Sequence, residues 1–171
     1  MADLSLPLVP VVRIEYRLAA GTVGWASCDL EIGSSAVTIT ASYLGHALEE
    51  LVEAACLAMS GEAISEAHFW EEPGEYRWVV ENAGQRTRVR ILEFDELWSN
   101  LPIEDGKIIL DEICEKSAFG AAVLQAADQV LDKHGSIGYA KLWGQGAFPT
   151  KSVSRLRELV RSTSEPHRGA T

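Results

Sequence analysis

At 171 residues, with 47% hydrophobic and 23% charged side chains, the chain has the size and composition of one globular domain, able to bury about two-thirds of its unfolded surface. Fifteen Lys and Arg against 25 Asp and Glu leave a net charge of −10. Such a surface repels phosphate backbones, which argues against nucleic acid as a partner and favours a basic protein.

The acidity is uneven. Residues 1–150 hold 10 Lys/Arg against 23 Asp/Glu, a balance of −13, while residues 151–171 hold 5 against 2, a balance of +3. No apolar run approaches the roughly 20 residues that cross a bilayer, so no membrane role is expected. The start, MADLSLPLVPVV, has no basic region ahead of its short apolar run and does not read as a signal peptide. Cys28, Cys56 and Cys114 are far apart and show no metal-ligand spacing. Sparse cysteines within apolar runs read as buried thiols of a reducing compartment, and the expected location is cytoplasmic.

In chain order, Val12, Ile14, Tyr16 and Leu18 alternate with Arg13, Glu15 and Arg17, the period of two of a half-buried strand. Ala26, Cys28, Leu30 and Ile32 repeat the pattern, Gly33-Ser34-Ser35 supplies a turn, and Val37, Ile39 and Ala41 continue a three-stranded meander. The period then changes. Leu44, Ala47, Leu48, Leu51, Val52, Ala55 and Met59 follow helical spacing, with Glu49, Glu50 and Glu53 on the opposite face and Gly61 as a stop.

Pro73-Gly74 divides the strands 64–71 and 75–81, and RTRVRILEF supplies another. A turn centred on Ala83-Gly84 would set Tyr76 opposite Ile91, Trp78 opposite Val89 and Val80 opposite Thr87 on a core face. Arg77 would then meet Arg90, Val79 would meet Arg88 and Glu81 would meet Arg86 on an uncovered one. A further strand is expected over 107–114. Ser117 should cap a helix ending at Gly135, a short helix should follow from Ser136, and Thr150 should cap a last one through Val160. The order βββα ββββ ααα predicts an α+β fold: one antiparallel sheet of about six or seven strands with helices on one face. A single domain is expected over residues 1–162, followed by a flexible tail over 163–171.

Three groups are candidates for chemistry. His68 lies near Glu71, Glu72 and Glu75, but a strand turns His68 and Glu71 to opposite faces, and carboxylates beside a Pro-Gly turn are expected to be solvated. This stretch therefore reads as structural, with no metal. Glu93, Asp95 and Glu96 could include a catalytic carboxylate pair only if the fold set two of them across a cleft, and their alternation with Leu92, Phe94 and Leu97 suits an exposed strand end. Arg77, Arg86, Arg88 and Arg90 share the face assigned as uncovered, and Trp25 is placed on it too. Tryptophan beside arginine is a composition common at interface centres; neutralisation by Glu15, Asp29, Glu31 and Glu81 is the plainer reading of the same face. No phosphate loop, HExxH motif or nucleophile elbow is present, so no catalytic residue and no cofactor is assigned.

SYLGHALEELVEAA, WEEPGEYRWVVE and RVRILEFDELW together resemble a family of bacterial proteins of unknown function, over roughly residues 12 to 160. Size, acidity and α+β order are also similar to the immunity proteins of bacterial toxin systems. That resemblance implies neutralisation of a toxin by binding; the basic C-terminal helix departs from a uniformly acidic inhibitor. The expected function is a non-enzymatic interaction module that binds a basic protein partner or a second copy of itself. The alternatives are a hydrolase-type enzyme with an acidic cleft and a small-ligand binder using space between helices and sheet.

Overall fold

The computed structural model describes residues 9–98 and 100–165. Residues 166–171, most of the expected tail, and residues 1–8, the start of the stretch read against a leader, lie outside them. The fold is α+β, as the alternation of periods predicts. Among the described residues, seven strands form two antiparallel sheets rather than one: β1 (Val12–Leu18), β2 (Trp25–Ile32) and β3 (Ser35–Ser42) in the first, and β4 (Ile64–Trp70), β5 (Glu75–Ala83), β6 (Arg86–Phe94) and β7 (Lys107–Glu115) in the second. Helix α1 (Ala47–Met59) carries the chain between them and packs against β4.

After β7 come two helices, not three. Helix α2 (Lys116–Trp143) breaks at Gly135, with φ +67° and ψ 172°, and re-enters helix at once, so the expected short helix is its second limb. Helix α3 spans Thr150–Ser164. Ser117 and Thr150 fall inside the first turns rather than capping them, and Glu115 and Pro149 occupy the cap positions.

One core joins both sheets. Tyr16, Cys28, Leu30 and Ile39 of the first meet Phe69, Trp78, Val89 and Ile91 of the second, with Leu48, Leu51, Phe119, Val123 and Leu156 from the helices. Trp78 is fully buried, as its face predicts, while Tyr76 is half-buried at the margin. All three cysteines are free and buried, and burial pushes the Cys114 thiol up to about 12.

The β5–β6 register differs from the predicted one by two residues. The hairpin loop is Gly84-Gln85, so Trp78 pairs with Ile91, Val80 with Val89, Val79 with Arg90 and Glu81 with Arg88. Gly84, at φ +73°, occupies the first loop position, where a two-residue hairpin of the II′ kind requires glycine.

Candidate functional site

The second sheet brings opposite charges together near one end. His68 lies directly across from Arg77, and Trp70 from Glu75. Alternation then places Glu66, His68, Glu75, Arg77 and Val79 on the face turned away from the core. Beyond β6, residues 95–98 and 100–106 fold back over this face. Ile103 packs on a small apolar cluster of Val79, Leu92 and Phe94, and Leu101 supplies a carbonyl that accepts from Arg77 Nη1 at 2.7 Å. The close approach needs a glycine: a Cβ on Gly106 would lie 2.7 Å from the Phe94 ring.

The covering segment changes the status of Arg77. It is only 4% exposed, and Glu75 is 1% exposed. Arg77 grips Glu75 with two hydrogen bonds, from Nε at 2.8 Å and Nη2 at 3.2 Å. Its guanidinium lies 4.2 Å from the centre of the Phe94 ring, a cation–π contact. His68 Nδ1 lies 2.6 Å from the same carboxylate. Glu66 stands 3.7 Å from His68 Nε2 and 3.9 Å from Arg77 Nε, and Glu50 of α1 accepts the His68 backbone N–H at 2.7 Å.

These contacts set the protonation states. The hydrogen bond to Glu75 is the largest effect on His68 and raises its pKa, against desolvation; the charges of Glu75 and Glu50 add to the rise. Burial pushes the Glu75 carboxyl upward, but hydrogen bonds from His68 and Arg77 outweigh it and hold the group below its usual range. Burial raises Glu50, only partly offset by the His68 N–H. The arrangement therefore favours an imidazolium against a carboxylate.

An open cleft of about 530 Å³ adjoins this network, lined by Glu66, His68, Arg77, Asn100, Leu101, Pro102, Ile103 and Glu104. A chain of aromatic rings leads away from His68. His68 stacks on Trp70 at 5.1 Å, and Trp70 meets Trp98 edge-on at 6.2 Å. Trp98 is 55% exposed, and its backbone has φ +52°, with Asn100 at φ +50°. Left-handed backbone at such residues costs on the order of 1–3 kcal/mol and concentrates at functional segments. Residues 93–105 hold five Asp or Glu and no Lys or Arg. Asp95, Glu96, Glu104 and Asp105 are exposed, as is Glu72 in the turn at the same sheet end.

The residues expected to form one interaction patch are distributed differently. Trp25 belongs to the first sheet and is half-buried there, so it is not on the arginine face. Arg77 is buried rather than uncovered, because the segment of Leu101 and Ile103 covers it. Arg88 is bound to Asp111 by two hydrogen bonds, at 2.8 and 2.7 Å, Arg90 lies 3.0 Å from Glu81, and Arg86 stands at the exposed hairpin end, 3.8 Å from Glu115. Glu15, Asp29 and Glu31, expected to balance these arginines, instead lie beside Arg13 and Arg17 on the outer face of the first sheet.

Of the acids weighed with His68, only Glu75 reaches its ring. Glu71 accepts from Thr40 at 2.5 Å, and Glu72 is exposed. Glu93 lies 3.6 Å from Lys107, while Asp95 and Glu96 lie past the strand end. Among the described residues no group of three His, Cys, Asp or Glu side chains is arranged to hold a metal ion, and no helix is long and apolar enough to cross a membrane. The sequence reading missed Trp98 and the folded-back segment. The available signal was Leu101 and Ile103, two apolar residues in a stretch with no strand or helix period.

No known protein family, no curated protein and no solved structure matches this chain significantly.

Proposed function

We propose that the protein is a non-enzymatic interaction module of the inhibitor or immunity kind, and that it holds a Lys- or Arg-bearing segment of a partner protein at the Trp98 end of the second sheet. The observation that carries this reading is an exposed tryptophan in left-handed backbone conformation, in a segment whose Asp95, Glu96, Glu104 and Asp105 are also exposed. An open indole face attracts ammonium and guanidinium groups, and the carboxylates around it supply the long-range attraction. Around the cleft Glu50, Glu66 and Glu75 outnumber the cations His68 and Arg77, so the buried network adds no net positive charge to repel a basic ligand.

The same geometry disfavours a general base. Glu75 biases His68 toward the imidazolium, the form that donates a proton, and Arg77 already occupies both oxygens of that carboxylate.

A titration with an arginine- and lysine-rich peptide tests the proposal, read by tryptophan fluorescence. Saturable binding should weaken at least about tenfold in Trp98→Ala, the loss typical of a central aromatic anchor, and should weaken with added salt. Equal affinity in wild type and Trp98→Ala, or no saturable binding at low salt, would defeat it.

A further inference from the structure

The first sheet ends in an unpaired strand. Strand β1 borders only β2 in the order β1-β2-β3. Which of its backbone groups are free follows from the register. Leu18 pairs with Ala26, and just beyond, Ala19 N–H donates to Trp25 O at 2.8 Å; at the other end Gly33 N–H donates to Val11 O at 3.0 Å. Odd-numbered residues of β1 thus point their amides and carbonyls toward β2, and Val12, Ile14, Tyr16 and Leu18 point theirs outward. Among the described residues, no hydrogen bond reaches those four from another element. They open onto a groove of about 630 Å³ between β1 and α2. Ile14 and Tyr16, whose side chains are buried, line it through the main chain.

An open edge of this kind recruits another strand. The side chains of β1 point to which one. Two copies pairing antiparallel about a twofold axis must join outward-facing residues, so the axis passes by Ile14, Glu15 or Tyr16. At Glu15 the two glutamates would oppose each other and Arg13 would oppose Arg17, like against like, which destabilises a sheet. At Tyr16 each Glu15 would meet Arg17, but Asp29 already holds Arg17 at 2.7 Å, and Arg13 would face Ala19 with no carboxylate across the axis. At Ile14 each Arg13 meets the Glu15 of the other copy, twice over. The Arg13 side chain is 76% exposed, and its carboxylate neighbour Glu31 is at a loose 3.9 Å. In that register Val12 faces Tyr16, and Pro10, with no N–H to give, closes the ladder opposite Leu18.

We infer that β1 is a dimerisation edge, on which a second copy of this chain pairs antiparallel about Ile14 to join two three-stranded sheets into one of six. This surface is separate from the Trp98 end and does not depend on its reading.

The test is a charge swap followed by sedimentation over a wide concentration range. Wild type should be a concentration-dependent dimer. Arg13→Glu and Glu15→Arg should each raise the dimer dissociation constant by about tenfold, since each sets two like-charge pairs across the axis. The double variant, which recreates both pairs with signs reversed, should return to within about threefold of wild type. Both residues are exposed, so folding is preserved and each variant can be read. In hydrogen exchange, the Val12, Ile14 and Tyr16 amides should gain protection on dimerisation while those of Arg13 and Glu15 stay as they were. A wild-type monomer at every concentration overturns the inference, as does a dimer untouched by the single changes, or one that both weaken and the double fails to restore.

Discussion

The two sheets share a core but treat their other faces differently. The first leaves Arg13, Glu15, Arg17, Asp29 and Glu31 in water, joined by exposed ion pairs. The second buries an arginine and a glutamate beneath a returning segment and surrounds them with hydrogen-bond partners. The strands look alike in sequence, with charged and apolar residues alternating in both. Coverage makes the difference. An ion pair in water adds about 0–1 kcal/mol, whereas removing one member of a buried pair leaves a desolvated charge alone and costs several.

The largest effect should come from the core side of the second sheet. Trp78→Ala removes a fully buried indole and should cost about 3–5 kcal/mol in denaturant unfolding; a change under about 1 kcal/mol would mean that Trp78 does not sit in the core. On the opposite face, Arg77→Ala should cost about 3 kcal/mol by leaving the buried Glu75 carboxylate with His68 alone, and Arg77→Met with Glu75→Leu should recover most of that loss. If the double variant is no better than the single one, burial of a half-compensated carboxylate is not the cause.

A pH series sharpens the contrast. The His68 pKa is raised by folding, so its contribution is complete below the unfolded value near 6.5 and is lost as pH rises through the folded one. The Glu75 pKa is lowered, so its contribution is complete above the unfolded value near 4.5 and is lost as pH falls through the folded one. The stability gap between wild type and His68→Asn should therefore peak between about 4.5 and 6.5, at about 1–2 kcal/mol, and shrink on both sides. A gap independent of pH would show that the imidazole contributes only packing. The smallest effect belongs to the first sheet: Arg17→Ala should cost less than about 1 kcal/mol in the same assay, and a loss equal to that of Arg77→Ala would erase the distinction between the two faces.

Much of this was legible in the residues, and the exceptions have physical causes. Alternation identifies strands and their faces, so Trp78 and Val80 were placed in the core without coordinates. It cannot detect a register slip of two, because such a slip leaves every side chain on its own face; only the turn decides, and Ala83-Gly84 and Gly84-Gln85 differ by one position. Alternation also does not say which strands pair. Residues 43–46 and α1 intervene between β3 and β4, and those strands touch without forming a ladder. That is why Trp25 and the arginines, read as neighbours, lie on different sheets. Arg77 was given the correct face but the wrong environment, since the covering stretch 95–106 has no period to announce it. His68 and Glu75 are a diagonal pair across the hairpin, so the residue types were visible while the convergence of Arg77, Leu101 and Phe94 on them was not.

The central claim is that the covered end of the second sheet is a receptor for cationic side chains, and amide and indole chemical shifts of the labelled protein, titrated with an arginine- and lysine-rich peptide, test it most directly. Shifts should concentrate at Glu66–Glu75, at Asp95–Asp105 and on the Trp98 indole, and disappear there in Trp98→Ala. Shifts spread evenly over the acidic surface, or centred on Glu49 and Glu53 of α1, would contradict it.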